Sequence, residues 1–179
     1  MFNSEEEQTL QQGLIIWFTG HSKSGKTTLS KLLFSELQQK GYRCYRLDSD
    51  TLPLSIIKPQ ADRWEERQRL KLENISFLSR LLYDNNYFVL IASVGRFSEW
   101  RELLRKQVPN FIEIYLTCPL EVRLARDFEK KYQTHREYFD YYEKPNNPDV
   151  VIDTNHKQPN ESVNLIMQYL QMKGFLKGR

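Results

Sequence analysis

The chain has little of what builds metal centres or disulfide frameworks: its 179 residues include only two cysteines and three histidines. Cys44 and Cys118 each lie inside an apolar run, so both are expected to be reduced core residues. His21, His135 and His156 are scattered without ligand spacing, which argues against structural zinc. No apolar stretch approaches the length of a membrane span, and MFNSEEEQTLQQ at the start lacks the cationic n-region and apolar core of a signal peptide. The expectations are a flexible N-terminal arm over residues 1–12, no membrane partner and a cytoplasmic location. A surplus of one charge is also missing. The 26 Lys and Arg against 23 Asp and Glu leave +3, which tells against nucleic acid as partner while suiting a polyphosphate ligand.

What is present suffices for one α/β domain over residues 13–179, with a single active cleft; 40% hydrophobic content gives it a sizeable core. LIIWF at 14–18 reads as a central strand buried on both faces. From Thr27, Leu29, Leu32, Leu33 and Leu37 recur at helical spacing, and Gly41 supplies the stop. A second strand is expected from Tyr42 to Leu47. Residues 60–85 are expected to form one long helix, or two with a bend, with Trp64, Leu70, Phe77, Leu78, Leu81 and Leu82 on the apolar face. Tyr87 to Ala92 and Phe111 to Cys118 read as third and fourth strands, each followed by a helix, and Val150 to Ile152 as a fifth. The last helix carries Val163, Ile166, Met167 and Leu170 on one face behind Asn160 as a cap. Strands alternating with helices predict a mostly parallel five-stranded sheet covered on both sides.

Residues 20–27, GHSKSGKT, match the pattern G-x-x-x-x-G-K-S/T at the strand-to-helix junction where a phosphate-binding loop belongs. In such a loop the backbone N–H groups of Gly20, His21, Ser22, Lys23, Ser24, Gly25, Lys26, Thr27 and Thr28 converge on phosphate oxygens at a helix N-terminus. Lys26 is expected to reach the transferring phosphoryl group, and the Thr27 hydroxyl to ligate magnesium. Lys23 is either a solvated face of the loop or a second phosphate contact. No guanine-reading sequence follows a strand, which places a GTP switch behind a small-molecule kinase using ATP and Mg²⁺.

Asp48 and Asp50 follow the second strand at the ligand-facing edge of the sheet. Asp50 is assigned to the acceptor or to magnesium-bound water, where a carboxylate orients an attacking hydroxyl; Asp48 is expected to be structural. Arg63 and Arg67 lie one helical turn apart and suit an anionic acceptor, as do Arg101 and Arg105, although a solvated mixed-charge helix face accounts equally for the first pair. Arg126 is expected beside the nucleotide. The charged, Tyr-rich segment 128–147 is read as a short lid whose Lys130, Lys131 and Arg136 meet a bound anion; permanent packing by Tyr132, Tyr138, Phe139, Tyr141 and Tyr142 is the alternative.

Four landmarks in order resemble the adenylylsulfate kinase family. These are GLIIWFTG with GKTTLSKLL, YRLDSD at 45–50, CPLEVRLARD at 118–127 and YEKPNNPDVVIDT at 142–154. The resemblance covers nearly the whole chain. It implies a P-loop nucleoside triphosphate hydrolase fold of nucleotide-kinase type, ATP and magnesium, and transfer of a phosphoryl group to the 3′-hydroxyl of adenosine 5′-phosphosulfate. A homodimer is also implied. The chain departs from the family pattern at Gly95 and Arg96, which stand where the family's serine and proline would be, and in the segment after Asp127, which lacks the family's lysine, phenylalanine, threonine and glycine run. Those departures leave open a kinase for another nucleotide-like anionic acceptor, such as a phosphoramidate-bearing nucleotide, and a non-catalytic nucleotide-binding regulator.

Overall fold

In the computed structural model, which describes residues 11–134 and 141–177, five strands form one sheet in the order β2-β3-β1-β4-β5. They are β1 (Leu14–Thr19), β2 (Cys44–Asp48), β3 (Phe88–Ala92), β4 (Phe111–Thr117) and β5 (Val150–Asp153). All four pairings are parallel. The central strand β1 is buried at every position, as its unbroken apolar run requires. Its alternate side chains feed two cores. Leu14, Ile16 and Phe18 meet Leu29, Leu33 and Leu37 of α1 (Lys26–Gln39), together with Val163, Ile166 and Leu170 of the C-terminal helix. Ile15 and Trp17 pack on the other side with Val89, Ile91, Ile75 and Leu104. Each such side chain contributes roughly 1.5–3 kcal/mol by leaving water, so the sheet is a rigid base for the loops at its end.

The remaining helices are α2 (Leu54–Ile57), α3 (Trp64–Asp84), α4 (Ser98–Arg105), α5 (Leu120–Ala125), α6 (Lys131–Thr134) and α7 (Pro159–Met172). The chain leaves β1 through α1 toward β2, but leaves β3 through α4 toward β4. The two loops therefore diverge at the C-terminal sheet edge and open the crevice typical of such a switch in direction.

Several expectations shift. β2 begins at Cys44 because Tyr42 still belongs to the end of α1: its N–H donates to Leu37 O at 3.0 Å, with Gly41 at φ 82° allowing the turn. α3 is a single helix, but its buried side is Leu72, Ile75, Leu78, Ser79 and Leu82, whereas Phe77 and Leu81 stand in solvent. The positions 75, 79 and 82 follow the helical period, and the other two fall off it. α7 is capped by Gln158 through reciprocal bonds with Glu161, with Pro159 in the first turn, so Asn160 is inside the helix rather than its cap. Among the described residues, no helix is long and apolar enough to cross a membrane.

Candidate active site

Gly20 and Gly25 have φ of 142° and 100°, values that side chains disfavour, and they let the chain wrap tightly between β1 and α1. At Gly20 there is also no room, since a Cβ would lie 2.6 Å from Leu116 O. The Lys26 ammonium turns back into the loop and donates to Gly20 O at 3.0 Å and His21 O at 2.6 Å. Burial, then the nearby Arg96 charge, lower its pKa to about 7. Ser24 is fully buried, and its Oγ has no hydrogen-bond partner among the described residues. Ser22, Lys23, Gly25, Lys26, Thr27 and Thr28 line a cavity of about 1350 Å³. His21 turns away, its ring 4.9 Å from that of Tyr142, whose hydroxyl lies 2.9 Å from Thr19 Oγ1.

The two aspartates at the end of β2 stand in different settings. Asp48 is buried, takes an ion pair from Arg46, and accepts the Asp50 N–H at 2.9 Å, forming a turn that carries the chain outward. Asp50 reaches the cavity. Lys131 approaches it to 3.9 Å while holding Glu129 at 2.9 Å, and Lys23 bridges Glu129 at 2.8 Å and Asp127 at 3.4 Å. Lys23 is therefore tied to the far side of the loop rather than left in water. The two cations hold the Glu129 carboxyl at about 2.

The segment expected as a lid is anchored on both sides of its undescribed stretch. Tyr132 is buried and donates its hydroxyl to Ser22 O at 2.8 Å, while Arg123 donates to the same hydroxyl at 2.6 Å. Beyond the gap, Arg96 donates to Tyr141 O at 2.8 Å, and the Glu143 carboxylate accepts the Ser98 N–H at 2.8 Å. Lys131 lines the cavity. Lys130 does not: it sits in a left-handed turn with its side chain exposed. Arg136, Tyr138 and Phe139 lie outside the described residues.

The wall opposite the loop comes from α3 and the segment after β3. Trp17 Nε1 donates to Ser93 O at 3.0 Å and Thr19 Oγ1 to Val94 O at 2.8 Å, which fixes that segment over the end of β1. Arg67 lines the cavity, its guanidinium donating to Ala61 O at 3.1 Å; Arg63, one turn earlier, precedes α3 and is not among the residues lining the cavity. Arg101 corrects the expectation of a substrate contact. It is buried beneath the wall, donating to Glu113 Oε1 at 2.7 Å, to Glu143 O at 2.9 Å and to Gly95 O. Each of its three guanidinium nitrogens donates to an acceptor in the protein and the side chain is not part of the cavity lining, so it braces the wall instead of facing a ligand. Sequence reasoning missed Lys58, Lys71, Arg96, Trp64 and Trp100, all of which line this wall. Lys71 had a signal, since it stands four residues after Arg67 on the same helix.

At the third side, Arg126 donates to Thr154 O at 2.8 Å and lines the cavity near Phe128, which is 90% exposed. Thr154 in turn donates to Ser24 O at 2.9 Å, joining the end of β5 to the loop.

This arrangement agrees with comparisons to known proteins. The family model described as Adenylylsulphate kinase matches residues 12–153. The chain belongs to that family. It is 32% identical to the adenylyl-sulfate kinase of Halothermothrix orenii over 174 residues, covering 93% of this chain and 94% of the relative. The adenylyl-sulfate kinase of a Synechococcus strain is 34% identical over 179 residues, covering 93% and 99%. Among solved structures, the Mycobacterium tuberculosis APS kinase CysC in complex with AMPPNP and APS superposes with a TM-score of 0.78 at 26% identity, covering 89% of this chain and 98% of that one. A Sinorhizobium meliloti gluconokinase, at 18% identity and a TM-score of 0.65, shares the fold. The protein is accordingly a nucleotide-binding kinase of the adenylylsulphate kinase type.

For an adenylylsulphate kinase, the residues fit a nucleotide and its magnesium. The partnerless Ser24 hydroxyl, the left-handed glycines and the buried Lys26 are features of a loop built around an anion. Exposed Thr27 and Asp50 offer two oxygen donors on the cavity surface, in keeping with an ion held mainly by phosphates and water with few protein ligands.

Proposed function

We propose that the chain transfers the γ-phosphoryl group of ATP to the 3′-hydroxyl of adenosine 5′-phosphosulfate or of a close, nucleotide-like anionic analogue. The observation that carries this reading is the two-sided cavity, with Lys26 and Thr27 on one wall, a cationic and aromatic wall facing them, and Asp50 between. Magnesium, when bound, neutralises the phosphate oxygens. The protein's own groups supply position and charge. The loop N–H groups and Lys26 hold the phosphates, Thr27 and Asp50 orient the metal's shell, and the Asp50 carboxylate accepts a hydrogen bond from the attacking hydroxyl. Arg126, fixed by Thr154, borders the nucleotide side.

Lys58, Arg67, Lys71 and Arg96 concentrate positive charge on the acceptor wall, which suits adenosine 5′-phosphosulfate and another nucleotide-linked anion alike. An acceptor screen with Mg²⁺ and ATP, read by product mass, tests both forms. Phosphorylated adenylylsulfate is the expected product. No turnover with adenylylsulfate but turnover with another nucleotide-linked anion establishes the analogue; nucleotide binding with no transfer to any acceptor overturns the kinase reading. Asp50→Asn is expected to lower kcat by about 10²-fold with little change in ATP affinity.

A further inference from the structure

Lys71 sits on α3 with its side chain partly buried, and it lines the wall facing the phosphate loop. Among the described residues, it forms no hydrogen bond and no ion pair within 4.0 Å, in contrast to Lys23 and Lys131 on the same cavity. A long cationic side chain withdrawn from water without a protein partner is unfavourable unless an anion completes it. The surroundings indicate where that anion sits. Arg96 from the segment after β3 repels the ammonium most, Asp50 and then Asp48 from the end of β2 attract it, and Lys58 from the end of α2 repels it least. Arg96 and Lys71 both act on Lys26 across the cavity, so the three positive groups surround one space. Leu72 and Ile75 from α3, with Trp64 and Trp100, add apolar and aromatic surface to that wall, where Gln68 and Ser93 are neutral polar groups and the cations its charged anchors.

Resting on the kinase reading above, we propose that Lys71 is a specificity-determining residue that contacts the anionic group of the acceptor, beside Arg96, and thereby selects acceptors carrying a phosphate-type anion at the end remote from the attacked hydroxyl. An acceptor with only a nucleoside there leaves the ammonium without a counter-charge. Lys71 does not hold ATP, because the loop wall supplies those contacts, and it does not take the hydroxyl proton, which faces Asp50. Burial and the flanking cations lower its pKa to about 8, so the contact weakens as pH rises past that value and Lys71 loses its charge.

The test uses the full chain with AMPPNP saturating the loop, and measures equilibrium binding of two probes, adenosine 5′-phosphosulfate and inorganic pyrophosphate, to wild type, Lys71→Met and Lys71→Arg. Lys71→Met is expected to weaken both probes roughly 10- to 100-fold, with Lys71→Arg recovering most of the loss. AMPPNP affinity should change less than threefold. In wild type, probe affinity should fall between pH 7 and 9, a fall absent from Lys71→Arg because its guanidinium stays charged. Failure of this idea and failure of the kinase reading are distinguishable. Lys71-dependent binding without phosphorylation of any acceptor overturns the kinase reading and retains the anion contact. Probe binding unchanged in Lys71→Met, or no probe binding to wild type, overturns the contact. If Lys71→Met does not fold, Lys71→Arg and the wild-type pH series decide: a flat profile, or no difference between the two, overturns it.

Discussion

At the level of single residues, the cavity keeps two lysines in surroundings that disfavour their charge, with pKa lowered to about 7 at Lys26 and about 8 at Lys71. A base whose folded pKa lies below its unfolded value opposes folding. For Lys71 the penalty is fully present below about pH 8, and it fades as pH rises toward the unfolded value of 10.5, because only then does the unfolded chain also give up the proton. Lys71→Met should therefore stabilise the ligand-free protein by about 1–3 kcal/mol at pH 7 and by little at pH 10.5, as read by urea denaturation at both values. Equal effects at the two pH values would show that the side chain's packing matters and its charge does not. Lys26 answers to a different readout: Lys26→Ala should lower phosphoryl transfer by about 10²-fold or more while the far-ultraviolet circular dichroism stays native. Near-normal turnover at saturating ATP would remove it from the transferring group. Lys26 was legible because its motif fixes both its spacing and its strand-to-helix setting. Lys71 was not, because in the sequence it is one more charge on a helix of mixed sign, and only the fold shows which charges look inward.

At the level of elements, the segment after β3 holds the acceptor wall in place, and its support is buried. Gly95 has φ 55°, and a Cβ there would lie 2.8 Å from Trp17 Cζ2 and 3.0 Å from Arg101 Cδ. Trp17 is fully buried and cannot retreat, so Gly95→Ala should destabilise by about 2–3 kcal/mol and raise the acceptor KM. An unchanged thermal midpoint in that variant would contradict the close packing. Arg101 supports the same segment from below through Glu113 and Glu143 O. Arg101→Met should cost about 3 kcal/mol, since among the described residues the Glu113 carboxylate then keeps only Arg105, at 3.1 Å, and Arg101→Lys should rescue little because an ammonium cannot reproduce the guanidinium fork. Strand positions could be read from LIIWF and its counterparts because buried parallel strands are apolar throughout. The bracing role of Arg101 could not, since its partners come from β4, twelve residues on, and from residue 143. The face of α3 was misassigned at Phe77 and Leu81 for a related reason: hydrophobicity alone does not say which apolar residues the sheet reaches.

On the scale of the whole molecule, the order β2-β3-β1-β4-β5 places the phosphate loop and the acceptor wall on different structural supports. The loop rests on β1 and α1, with α7 packed behind them, whereas the wall rests on α3, β3 and α4 over the second core. Each half of the cavity can therefore be disabled while the other remains built. A ligand that binds only the native state at about 100 times its Kd adds about 2.7 kcal/mol, which in a chain of this size raises Tm by roughly 5–10 °C. Wild type should show such a shift with AMPPNP and a further one when adenosine 5′-phosphosulfate is added. Lys26→Ala should lose most of the AMPPNP shift and retain most of the acceptor shift. Lys71→Met should do the reverse. The crossed pattern follows from geometry, because the two ligands contact opposite walls of the cavity on separate supports, whereas ligand contacts shared by both lysines would make each variant insensitive to both. Differential scanning fluorimetry at fixed pH 7 makes the measurement, and parallel losses of both shifts in either variant would mean that the two walls fold as one cooperative site.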